Sequence, residues 1–185
     1  LISFTYTRNA LPQPVTMDFY DFSINQAIEA LDSLVVILKK AETAPNSASF
    51  LQARIHEDML PLSFQVYFIT SRSIMLGSRL VGEEPPKTED DLKSFAEFYA
   101  RIAEARAALA KLDRETINSR ANVPLTFGLG PGKPAHANGI IYCTGYAIPN
   151  IYFHLTTIYN ILRKEGVPLG KVDFLRVFLG KHIDY

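Results

Sequence analysis

Asn150, His154, Thr157 and Ile161 recur at four, three and four residues in the last third of the chain. On a helix that spacing lines one stripe, beside an apolar seam of Ile151, Leu155, Ile158 and Leu162. An imidazole next to an amide on an inward stripe can bind a polar small molecule or move a proton. An earlier helical segment offers a facing set: Arg54, Asp58, Gln65 and Arg72. The site expected from these residues has His154 as acid/base, with Asn150, Gln65 and Asp58 as polar contacts and Arg54 as an anion clamp. The plainer reading of His154 is a buried donor tied to a neighbouring amide or carbonyl. Asn150 can equally repair the carbonyl freed by Pro149 one turn back.

Other chemistries have less to build on. The four histidines, His56, His136, His154 and His182, include no pair four residues apart, because Ile158 stands one turn beyond His154. A three-ligand metal site would have to recruit His56 or Asp58 to His154, so no cofactor is expected and a divalent metal is disfavoured. Cys143 has no base near it in sequence and reads as a small buried apolar residue. Gly128, Gly130 and Gly132 precede no helix start of the phosphate-cradling kind and read as a hairpin turn.

The elements that would carry these residues follow from periodicity. Ser23 and Gln26 form a capping-box pattern ahead of Ile24, Ile28, Leu31, Val35 and Leu38, and the first helix ends at Ala44 before Pro45. A short turn covers Phe50 to Ile55. Asp58 is placed to cap a second helix with the stripe Met59, Leu62, Val66, Ile69, Leu76 and Leu80, closed by Gly82. Thr88 is placed to cap a third, with Leu92, Phe95, Tyr99, Ile102, Leu109 and Leu112. Residues 113–138 lose the helical pattern; Val123 to Leu129 and Pro134 to Asn138 read as a hairpin. A fourth helix over Gly139 to Glu165 is kinked or restarted at Pro149 and capped by Gly166 and Val167. Asp173 caps a last short helix over Phe174 to Leu179. Tyr142, Tyr146, Tyr152, Phe153 and Tyr159 supply core, or an aromatic pocket beneath the hairpin.

Four long amphipathic helices predict an all-α fold, an antiparallel four-helix bundle with a small β-hairpin flap before the last long helix. Its expected extent is residues 17–180, with 1–16 a peripheral extension cut by Pro12 and Pro14, and 181–185 a tail. With 185 residues the chain can bury one sizeable core. Nineteen basic residues balance nineteen acidic ones, which leaves no footprint for a nucleic-acid partner. No apolar run reaches the roughly 20 residues that span a bilayer, so no membrane partner is expected. The lone cysteine and the lack of a signal-peptide pattern suggest a cytoplasmic location.

Three blocks resemble a known family. Tyr20 with Ser23 through Lys40-Ala41 forms the first; Ala53-Arg54-Ile55, Asp58-Met59, Pro61-Leu62 and Gln65-Val66 form the second. Pro149-Asn150, Phe153-His154, Tyr159, Ile161-Leu162-Arg163, Gly166-Val167 and Gly170-Lys171-x-Asp173-Phe174-Leu175 form the third. Together they resemble the domain-of-unknown-function family nineteen-ninety-three of the DinB/YfiT-like superfamily. The resemblance implies a DinB-like four-helix bundle and, in metal-bearing relatives, three histidine ligands: one on helix two and two, four apart, on the last long helix. Those positions here are Gln65, His154 and Ile158, so one ligand of three is kept. The expected partners are a small organic metabolite at His154 or, for a non-catalytic module, a second copy of the chain as a homodimer. A metalloenzyme using His154 with His56 or Asp58 stands third.

Overall fold

The computed structural model describes residues 16–130 and 132–180. Residues 1–15 of the expected extension and the 181–185 tail lie outside the described residues. Among the described residues seven α-helices and one hairpin follow in order: α1 (Gln26–Glu42), α2 (Leu62–Val81), α3 (Phe95–Ala110), α4 (Arg114–Ser119), β1 (Pro124–Gly128), β2 (Pro134–Asn138), α5 (Gly139–Tyr142), α6 (Ile148–Lys164) and α7 (Lys171–Leu179). A 3-10 turn, Ser47–Gln52, seats Phe50 in the core. Helix α2 packs on both α3 and α6, and α1 packs on the same two, so four long helices surround one apolar interior. Leu31, Leu34, Ile37, Leu62, Ile69, Leu76, Phe98, Leu109, Ile151, Leu155 and Ile158 are fully buried there. Helix α7 lies on α1, where the Ser33 hydroxyl donates to the Phe174 carbonyl (2.9 Å) and Lys40 pairs with Asp173 (2.9 Å).

Several element starts differ from the expectation, each for a local reason. The first helix begins before Ser23, with a π-helical turn, Asp21–Asn25, ahead of α1. Asp18 is its cap: the Asp21 amide donates to the Asp18 carboxylate (3.1 Å), and the Asp18 amide donates back to Asp21 (3.2 Å). Ser23 is interior and donates to the Phe19 carbonyl (2.6 Å). The rival cap wins because α4, which the sequence pattern did not announce, supplies Arg114 to Asp18 (2.8 Å) and Asp21 (2.9 Å), and Asn118 to Asp18 (2.7 Å). The Arg114 guanidinium holds the Asp21 carboxyl at about 2.

Helix α2 starts at Leu62 rather than near Asp58, and α3 starts at Phe95 with Ser94 as its cap, whose hydroxyl accepts from the Glu97 amide (3.2 Å). Thr88 instead donates to the Ser71 hydroxyl (2.9 Å) and pins the connecting segment along α2. The expected stripes of α1 and α3 are otherwise buried, Ile24, Ile28, Leu31 and Leu38 on one and Phe95, Ile102 and Leu109 on the other; Val35 and Tyr99 lie at their edges, and Leu34, Ile37 and Phe98 are buried beside them. Asp173 is not itself the cap of α7. It sits in the first turn and accepts from the Gly170 amide (2.7 Å).

The hairpin matches its expected strands, pairing Pro124 with Asn138 through Gly128 with Pro134. Phe127 seats it on Tyr142 and Tyr146, each 4.9 Å away between ring centroids. The helix that follows is continuous through Pro149 by way of a π-helical turn, Cys143–Ala147. Proline has no N–H to give the carbonyl one turn back, and its ring would collide with that carbonyl. A widened turn relieves the clash and leaves the Ile148 amide bonded to the Cys143 carbonyl, five residues back.

Helix α6 ends at Gly166, with φ of +89°, and the Val167 amide returns to the Leu162 carbonyl (3.0 Å). A Cβ at Gly166 or at Gly145 would meet no atom within 4 Å, so only the backbone distinguishes them. Gly166→Ala should cost about 1 kcal/mol in urea unfolding, from the left-handed φ alone. Gly145→Ala, inside the helix, should be neutral or add about 0.5 kcal/mol.

Candidate functional site

Gln65 lies in the first turn of α2, and His154 lies two turns into α6. Packing of α2 on α6 buries both, and the His154 Nδ1 sits 2.6 Å from the Gln65 Oε1. The other end of the Gln65 amide donates to the Leu60 carbonyl (2.9 Å). That second bond fixes which way the amide faces. With its oxygen toward the ring, Nδ1 must carry the proton and donate, and Nε2 keeps a free lone pair. No side-chain partner for Nε2 occurs among the described residues.

Two effects keep the ring neutral. Burial strips water from the imidazolium, and Arg72 adds positive charge nearby; together they push His154 down from 6.5 to about 4. Phe68 packs against the ring at a 42° tilt with centroids 4.3 Å apart, and the Arg72 guanidinium covers the Phe68 ring at 4.2 Å. Phe153 meets His154 edge-on at 5.2 Å. Phe68 and Arg72 also line a groove of about 360 Å³ between α2 and the segment from Glu84 to Glu89.

The other expected site residues take different places. Asn150 is half-buried, one turn before His154 on the same helix, and its amide has no partner among the described residues. Arg54 donates to the Met59 carbonyl (2.8 Å), so it grips the loop whose next carbonyl, Leu60, orients Gln65. Asp58 is exposed and bonded to His56 (2.7 Å). The structure thus brings Gln65 and His154 together, sets Arg54 behind them through the loop, and leaves Asp58 on the surface. Phe68 escaped the sequence reading; its three-residue offset from Gln65 was the available signal.

The residues present do not fit the divalent metal of the DinB-like pattern. Gln65 offers a neutral amide already committed to His154, and Ile158 is fully buried and apolar. Metal ligation needs convergent imidazole, thiolate or carboxylate donors. Among the described residues, no group of three or more His, Cys, Asp or Glu is placed to hold a metal ion. Cys143 is fully buried and its thiol is pushed up to about 12 by that burial, which removes it as a nucleophile. No helix among the described residues is long and apolar enough to cross a membrane.

Known proteins place this geometry in context. A family model described as Domain of unknown function (DUF1993) matches residues 19–175. A DinB family member protein from Shewanella denitrificans, known from its crystal structure, is similar: the two are 31% identical with a TM-score of 0.74, over 84% of this chain and 90% of that one. No curated protein matches this sequence. The match over most of the chain, with a similar DinB neighbour, means that the chain belongs to the family described as Domain of unknown function (DUF1993), among the DinB-like proteins.

Proposed function

We propose that this protein is a metal-free DinB-like protein, a single antiparallel four-helix bundle over residues 17–180, that binds a small organic molecule at His154. The arrangement in which α2 and α1 each pack on α3 and α6 supports the bundle. One observation carries the functional reading: the 2.6 Å bond from His154 to Gln65 commits Nδ1 and leaves Nε2 as a lone, neutral acceptor. The Asn150 amide, one turn away on the same helix, adds a donor and an acceptor, and a groove lined by Phe68 and Arg72 lies on the far side of the Phe68 ring. The ligand that fits is one presenting an N–H or O–H to Nε2.

A histidine held near 4 is a weak base at neutral pH, so holding and orienting a ligand suits His154 better than proton transfer. A second reading, a dimerising module without chemistry, draws support from the exposed Phe22, Ile141 and Phe153, each more than half accessible. Sedimentation of the purified protein across a concentration series tests it; a monomer at every concentration removes it.

The neutral histidine has a stability signature. Its folded pKa, about 4, lies below the ordinary 6.5, so protonation favours the unfolded chain. Its contribution is fully present above pH 6.5 and is lost as pH falls to 4, by up to about 3 kcal/mol. Asp21, held at about 2, loses its contribution only below 3.8, so the two windows are separate. Urea unfolding of His154→Gln should show a flatter profile between pH 6.5 and 4 than the parent; identical profiles would rule out a buried neutral imidazole.

Native mass spectrometry and elemental analysis of untagged protein test the binding role. The expected result is no stoichiometric metal, and a small organic adduct that His154→Ala loses while remaining folded. Stoichiometric metal that disappears in His154→Ala would overturn the proposal.

A further inference from the structure

A second cavity lies between the hairpin and the C-terminal end of α2, with a volume of about 640 Å³, well within the range of small-molecule sites. Arg79 and Arg120 line it. The geometry points to a binding site for a small organic monoanion, a carboxylate on an apolar body, held by the guanidinium groups of Arg79 and Arg120.

Among the described residues three arginines pair with acids, two of them exposed, whereas the half-buried Arg79 and Arg120, like Arg54 and Arg72, do not. Arg101 pairs with Asp91, Arg106 with Asp32, and Arg114 with Asp18 and Asp21. Among the described residues, Arg79 and Arg120 have no carboxylate partner. Arg79 spends one N–H on the Tyr142 hydroxyl (3.2 Å), which anchors its fork against the ring beneath the hairpin. The Arg120 Nε, like that of Arg72, is buried with no hydrogen-bond partner among the described residues, so it is the Nη groups of Arg120 that remain to meet a ligand.

The backbone around Arg120 is built to hold it there. Arg120 closes α4, and the Ile140 amide at the start of α5 bonds the carbonyl of the next residue, Ala121 (2.9 Å). Its guanidinium rests on Gly82, where a Cβ would stand 2.7 Å from Nη2. The carbonyls of Ser78 and Arg79 already accept from the Glu83 and Gly82 amides, so the helix end leaves the arginines free for another acceptor.

The lining also selects among anions. Arg79, Arg120 and Lys133 are balanced in part by Glu83 and Glu84, which leaves one positive charge in excess and suits a single negative charge. Leu125, Phe127 and the prolines of the wall offer an apolar surface. A planar guanidinium matches a carboxylate with two parallel bonds, whereas lysine offers only a point charge.

The test is titration of the protein with sodium benzoate, followed by amide NMR and calorimetry, beside benzamide and inorganic phosphate. Benzoate should bind saturably with a dissociation constant of about 1 mM or tighter. Its shifts should fall on the amides of Leu125 to Gly128 and Gly82 to Glu84. Benzamide, which lacks the charge, should bind at least about tenfold more weakly. Arg120→Gln and Arg79→Lys should each weaken benzoate at least about tenfold, and Arg79→Lys carries the test alone if Arg120→Gln does not fold. His154→Ala should keep full benzoate affinity, which separates this site from the one proposed at His154. No saturable binding at about 10 mM, equal binding of benzamide, or full affinity in Arg79→Lys would overturn the assignment. Tighter binding of phosphate than of benzoate would overturn the choice of a monocarboxylate.

Discussion

The hydrogen bond between Gln65 and His154 is the constraint around which the interior is arranged. It is a polar pair set where α2 meets an apolar face of α6, and it survives burial only because each of its committed groups is paired. Gln65 spends its oxygen on His154 and its nitrogen on Leu60, and Arg54 holds the same loop one residue earlier. A hydrogen bond of this kind contributes about 1 kcal/mol net, while removing one partner leaves the other buried and unsatisfied at a cost of about 1–3 kcal/mol.

Helix α6 has to bring His154 to that point across a proline. The π-helical turn before Pro149 absorbs the missing hydrogen bond and shifts the helical phase. Tyr142, just before the turn, and Ala147, its last residue, are five apart and both buried; Ile151, Leu155, Ile158 and Leu162 resume the ordinary spacing after it. The Gly166 cap ends the helix and turns the chain so that Val167 and Leu169 close the interior. Helix α7 then returns across α1, where Tyr159 and Tyr152 meet Phe174 and Phe178.

Much of this was legible in the residues. Apolar periodicity located the long helices, Gly166 and Gly82 marked two of their ends, and the two strands of the hairpin fell where β-prone segments flank the glycines. The stripe on α6 and the position of Gln65 singled out the pair that meets. What stayed hidden depends on contacts far apart in sequence. Asp18 outranks Ser23 as a cap because Arg114 and Asn118 arrive from nearly a hundred residues away. Asp58 and Arg54 lie in a loop whose path no period governs, so their separation from His154 could not be read. Arg79 and Arg120 converge only once α4 and the hairpin are folded against α2, and neither sits in a local motif.

A groove beside a neutral histidine and a cavity between two unpaired arginines lie along the same helix, with Arg79, Glu84 and Pro85 lining both. Of these features, the protonation of His154 bears most directly on the account. Nitrogen NMR of the His154 imidazole in the protein as purified, at neutral pH, should find the ring uncharged, with the proton on Nδ1 and an open lone pair on Nε2. A charged ring, a proton on Nε2, or a metal-shifted Nε2 signal would contradict it.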